Sequence, residues 1–126
     1  MTTQEIAEKL VNLCRAGKYE QVYLELYAPE IVSKEPEEGG WKTTHGMDEL
    51  QAKGDQWRDM VEEVLESEIS DPLAADDYFT CRMRMKVKLK GFDEPSEWDE
   101  LCLYQVKDGK VVLEQFFYTP TTEMIE

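Results

Sequence analysis

The tightest constraint in the chain is Asp108-Gly109, set between two apolar-rich runs in residues 97–119, EWDELCLYQVKDGKVVLEQFFYT. Asp-Gly in that setting signals a β-hairpin. Two registers are open. A two-residue turn places Tyr104 opposite Leu113. A three-residue loop, with Gly109 left-handed and forming a bulge, places Tyr104 opposite Val112. The one-residue slip exchanges the faces of one strand against the other. The bulged loop sorts the residues better and is the register expected. It gathers Glu100, Cys102, Tyr104, Val112, Glu114, Phe116 and Tyr118 on one face, which reads as a cavity wall, aromatic with a few acids. Leu101, Leu103, Val111, Leu113 and Phe117 take the other face, a packing surface. Neither face is plainly polar, so both sides of the ribbon are expected to be covered.

The remaining chain supplies what such a ribbon packs against. Thr2-x-x-Glu5 is a capping box, and Ile6, Leu10, Leu13 and Cys14 follow at helical spacing. Gly17 suits a left-handed stop. A second helix is predicted over 19–27, with Val22, Tyr23, Leu26 and Tyr27 inward and Pro29 closing it. A short strand over 31–35 ends at Pro36, and residues 37–44 form a loop with Gly39-Gly40 and Trp41. A third helix over 47–61 carries Leu50, Gly54, Trp57 and Val61 on one stripe. Residues 62–70 and 78–90 alternate as strands, with breaks at Asp71-Pro72 and Asp76-Asp77. In the second, Phe79, Cys81, Met83, Met85, Val87 and Leu89 share one face. Arg82, Arg84, Lys86, Lys88 and Lys90 share the other, a solvated row to pair across strands with Glu62, Glu66 and Glu68. The order is helix, helix, strand, helix, then four long antiparallel strands. It predicts an α+β half-barrel: a strongly bent, mostly antiparallel sheet with three helices from the N-terminal half on its concave face. Helices and sheet cannot meet everywhere inside such a cone, so a cavity is expected.

Composition narrows the function. At 126 residues the chain suits a single domain over 1–126, and 41% hydrophobic with 33% charged residues suits a globular one. A net charge of −14 argues against nucleic acid and anionic membranes as partners. No apolar run approaches the roughly 20 residues of a membrane span, and MTTQEIAEKL lacks the regions of a signal peptide. Three cysteines without metal-ligand spacing read as reduced, cytoplasmic thiols. One histidine excludes a His-rich metal site, and neither metal nor organic cofactor is expected.

The chain resembles the SnoaL-like branch of the nuclear transport factor 2-like (NTF2-like) superfamily. The element order carries the resemblance, with YAPEIVSKEP after the paired helices, THGMDEL opening the third helix and LYQVKDGKVV in the hairpin. The resemblance implies a cone-shaped, cystatin-like fold around a ligand pocket. It also implies either a cofactor-independent isomerase, cyclase or dehydratase, or a non-catalytic ligand-binding or dimerising module. The isomerases' general base, an acid before a proline at the end of the first strand, falls on Glu35. Their oxyanion donors fall on Leu10 and Cys102, which cannot serve, and Tyr118 falls near an aromatic that packs on ligand.

Glu35, Glu100, Glu114 and His45 are therefore the candidate acid–base groups. Each has a plainer alternative: a solvated strand end beside Lys34 for Glu35, a pairing with a buried hydroxyl or the histidine for Glu100 and Glu114, and a helix cap for His45. Two carboxylates in one apolar pocket would raise each other's pKa and divide the acid and base roles. Trp41, Trp57, Met83, Tyr104, Phe116 and Tyr118 are candidates for lining a pocket for a small apolar ligand, with plain core as the alternative. The apolar outer face of the hairpin is the expected homodimer contact.

Overall fold

The capping box is present at the amino end of residues 1–120, which the computed structural model describes. Glu5 N–H donates to Thr2 Oγ1 at 3.1 Å, and Thr2 N–H donates to Glu5 Oε1 at 2.8 Å. Residues 121–126 of the expected domain lie outside the described residues. Helix α1 (Thr3–Arg15) buries Ile6, Ala7, Leu10, Val11 and Cys14. It ends in a Schellman turn. Gly17, at φ +72°, donates to the Cys14 carbonyl and Lys18 donates to that of Leu13.

Helix α2 (Tyr19–Leu26) stops because Tyr27 is already extended, not because of Pro29. Strand β1 (Tyr27–Lys34) thus begins well before the 31–35 expected. Pro29 lies inside it, where the ladder to the last strand jumps from Tyr27–Val111 to Val32–Leu113. Proline has no N–H to give a ladder, so the strand bulges around it. Then come β2 (Thr44–His45), α3 (Met47–Met60), β3 (Val61–Ile69), β4 (Leu73–Ala75), β5 (Tyr78–Leu89), β6 (Ser96–Lys107) and β7 (Lys110–Phe117). Strands β2 and β4 were not expected, being too short to show periodicity. The sheet order is β2-β1-β7-β6-β5-β3, with β4 also on β5. Every pairing is antiparallel except β1 with β7.

The hairpin takes neither expected register. Asp108 (φ 53°) and Gly109 (φ 76°) form a two-residue turn closed by Lys107 and Lys110, both left-handed as type I′ demands. The bulge lies inside β7 instead: Val106 pairs Val111, then Gln105 pairs Leu113. Tyr104 consequently faces Glu114. One extra residue in the strand restores the face sorting that a bulged loop would have given. Glu100, Cys102, Tyr104, Glu114 and Phe116 share the inner face, but Val111, not Val112, is fully buried. On the outer face Leu101 is 55% and Phe117 48% exposed, so among the described residues nothing covers them.

Strand β5 alternates as expected, with Phe79, Cys81, Val87 and Leu89 buried. Lys86 and Lys88 pair with Glu66 and Glu62 across β3, while Arg82 turns to Asp99 on β6. The core fills the space between α1, α2 and the inner faces of β1, β5, β6 and β7. Phe79 stacks on Tyr104 with ring centroids 4.7 Å apart.

Candidate functional site

Lys53 organises the inner face. It lies on the stripe of α3 that also carries Leu50 and Trp57, at spacings of three and four residues. That stripe places its ammonium over β1, 2.7 Å from Ser33 Oγ and 2.8 Å from Glu35 Oε2. The side chains of Lys53 and Glu35 are 12% and 8% exposed. Tyr118 donates to the other oxygen of Glu35 at 2.9 Å. Ser33 faces Glu114 across the parallel β1–β7 pair and donates to its Oε2 at 2.6 Å, while Tyr27 donates to Oε1 in a short bond. Tyr118, Glu35, Lys53, Ser33, Glu114 and Tyr27 thus form one continuous polar chain. The Lys53 ammonium also stands 5.7 Å from the centre of the Phe116 ring.

The three inward carboxylates have different surroundings. Burial pushes the Glu114 carboxyl up from the usual range, and its bonds to Ser33 and Tyr27 pull part of the way back. Glu100 is pushed up to about 8, first by burial and then by the negative charges of Glu35 and Glu114. Its one hydrogen-bond neighbour among the described residues is the Cys102 thiol, at 3.9 Å. A carboxyl with that pKa carries its proton at neutral pH and can donate it. Burial, followed by the charge of Glu35, also holds the Tyr118 phenol in its protonated form. Among the described residues three acids share one ammonium, and Glu100 has none of its own.

Beside the acids stands an aromatic stack. Trp57 lies edge-on between Trp41 and Trp98, with ring centroids 6.3 Å and 4.5 Å away. Trp98 precedes Glu100 by two residues on the same face of β6. Among the described residues two buried side-chain polar atoms lack a partner, Trp98 Nε1 and Thr44 Oγ1. Thr44 pairs directly with Ser33 in the β1–β2 ladder, so the two side chains share a face.

A cleft of about 690 Å³ opens at the end of β1 and β7, lined among others by Glu35, Thr43, Phe116, Phe117 and Tyr118. A second, of about 490 Å³, lies between Arg15, β3 and β5 and touches none of the acids described above. The first reaches Glu35, Phe116 and Tyr118, whereas Glu100, Glu114 and the tryptophans are not part of its lining. Among the described residues no His, Cys, Asp or Glu side chains are grouped to hold a metal ion.

The structure therefore brings Glu35, Glu100, Glu114, Phe116 and Tyr118 to one face, with Trp41 and Trp57 alongside. Met83 pairs with Glu100 across β5–β6 and packs half-buried against the core. Tyr104 is sealed in the core at 2% exposure and lines neither of these clefts. His45 is exposed on β2. Its backbone N–H is held by Glu49 at 2.9 Å, and it does not join the acids. The partner of Glu35 is Lys53 rather than Lys34. Lys53, Ser33, Tyr27 and Trp98 were not singled out from the sequence.

Residues 1–118 match the SnoaL-like domain, and the chain belongs to that family. Its structure is similar to that of a SnoaL-like polyketide cyclase candidate from Mesorhizobium loti. That protein is 32% identical, with a TM-score of 0.87 over 94% of this chain and 100% of the other. It also resembles an NTF2-like protein of unknown function from Burkholderia pseudomallei, at 16% identity and TM-score 0.78 over 99% and 96% of the two chains. A protein of ketosteroid isomerase-like fold from Catenulispora acidiphila, in complex with trimethylamine, is 18% identical with a TM-score of 0.73 over 94% and 88%. No curated protein matches the chain. The fold is thus the NTF2-like, cystatin-like α+β architecture, and no described helix is long and apolar enough to cross a membrane.

Proposed function

We propose that this chain binds a small, largely apolar carbonyl compound on the inner face of its sheet and moves protons on it without a cofactor. The observation that carries this reading is the division among the inward acids. Glu35 is fixed by Lys53 and Tyr118, whereas Glu100 is left without a cation. Each oxygen of Glu35 accepts one hydrogen bond and keeps a lone pair for a proton. Glu35 would take the proton from the carbon beside the carbonyl, and protonated Glu100 would donate to the oxygen as charge develops there. Returning the proton elsewhere gives isomerisation; attack of the enolate on a second carbonyl gives cyclisation; loss of a β-hydroxyl gives dehydration. Glu114 stays closed behind Tyr27 and Ser33 and serves to hold the cluster.

The test is hydrogen–deuterium exchange at the α-carbon of a bicyclic ketone, followed by NMR. Glu35→Gln is expected to slow catalysed exchange by about 10²–10⁴-fold. Absence of exchange above buffer with the unaltered protein would leave the second reading, binding without turnover. The bonds already occupying both oxygens of Glu35 favour that alternative, and a fold neighbour does hold a small molecule.

The exposed Leu101 and Phe117, with half-buried Leu103 and Leu113 beside them, support a homodimer through the outer face of the hairpin. A monomer by light scattering at micromolar concentration counts against it. Three free, buried thiols favour a reducing, cytoplasmic location.

A further inference from the structure

We infer that Trp98 is a specificity-determining residue whose indole N–H is reserved for an acceptor oxygen of the ligand. This deepens the proposed reading of the same site and rests on it. The indole nitrogen can donate but cannot accept. It is buried, and no oxygen or nitrogen in the described residues receives its proton. Buried donors are almost always paired, so an orphan beside a group of functional acids needs a reason. The ring against it is that of Trp57, centroid to centroid 4.5 Å. An indole face is a weaker acceptor than an oxygen.

The placement gives the orphan its use. Trp98 and Glu100 alternate onto the same face of β6, about 7 Å apart along the strand. Glu100 offers one donor and Trp98 a second, one strand repeat away. A planar ligand that parts Trp57 from Trp98 would exchange an edge-to-face aromatic contact for a hydrogen bond and keep Trp57 as a stacking wall. A pure hydrocarbon of the same shape gains the wall but leaves the N–H orphaned. The site therefore selects ligands that carry an acceptor oxygen toward β6, and Trp98, rather than the acids alone, makes that selection.

Trp98→Phe keeps an aromatic ring and deletes the donor. Isothermal titration with 1-tetralone and with its oxygen-free analogue tetralin reads the effect. The unaltered protein is expected to favour tetralone, and Trp98→Phe to lose roughly tenfold in tetralone affinity while tetralin affinity stays put. Equal losses for both compounds, no oxygen-dependent preference in the unaltered protein, or failure of both to bind would overturn the inference. Chemical unfolding of the ligand-free variant is a second check: the smaller ring packs less well against Trp57, so a modest drop in midpoint is expected. A variant that no longer folds would show that the residue holds the core, and would overturn the inference as well. Neither outcome depends on turnover, so the acid–base reading stands or falls separately on Glu35→Gln.

Discussion

Glu114 and Glu100 sit on the same face of neighbouring strands, and burial raises the pKa of both. They differ in what answers them. Two hydroxyl groups close on Glu114, and Ser33 relays Lys53 to it. Glu100 has a distant thiol. Burial alone therefore does not mark a working acid. A buried carboxyl that is fully satisfied holds structure together, and one that is buried but poorly partnered has a proton to give.

The largest expected effect breaks the satisfied side. Glu114→Ala strips the acceptor from Tyr27 and Ser33 deep in the core, and should cost about 3 kcal/mol in chemical unfolding. Glu100→Ala should cost far less at pH 6, and a similar loss at both positions would erase the distinction. Next comes pH. The folded Glu100 carboxyl titrates near 8 against an ordinary 4.5, so below 4.5 both states are protonated and its contribution is fully present. Between 4.5 and 8 the unfolded chain gives up a proton that the folded protein keeps, so stability falls across that interval and levels off once the folded carboxyl ionises above 8. The loss between pH 5 and pH 9 should be about 2 kcal/mol, allowing for the water that reaches a half-buried group. Glu100→Gln should flatten that part of the profile; a slope that survives the substitution belongs to another group. The smallest effect is Tyr118→Phe. It removes one bond to Glu35 at the open end of the polar chain and should cost about 1 kcal/mol in thermal unfolding.

How much of this the residues disclose in advance depends on the kind of signal. Period-two alternation in 78–90 and the Thr2–Glu5 box were legible because each is local. The acids on the inner face were placed correctly although the turn was not. A bulge in β7 and a bulge in the loop have the same parity, and parity is what decides a face. Lys53 was missed because a lysine on a helix ordinarily points to water. The available signal was its position between Leu50 and Trp57 on the apolar stripe. Ser33 alternates with Ile31 and Glu35 and could have been read the same way. Tyr27 could not, since it fits the end of α2 as well as the start of β1. Glu100 was legible from its place on the inner face of the hairpin, whereas carry-over from the isomerases pointed to Cys102, one inward position further along β6, which lies sealed in the core.

The parallel contact between β1 and β7 has a consequence for how the protein comes into being. Ser33 and Glu114 are 81 residues apart, and Tyr27 and Glu114 are 87. The chain between them must be closed into a loop before either bond forms, a slow and entropically costly event. A chain that stops before β7 would carry the helices and the tryptophans but lack the carboxyl that Ser33 and Tyr27 hold.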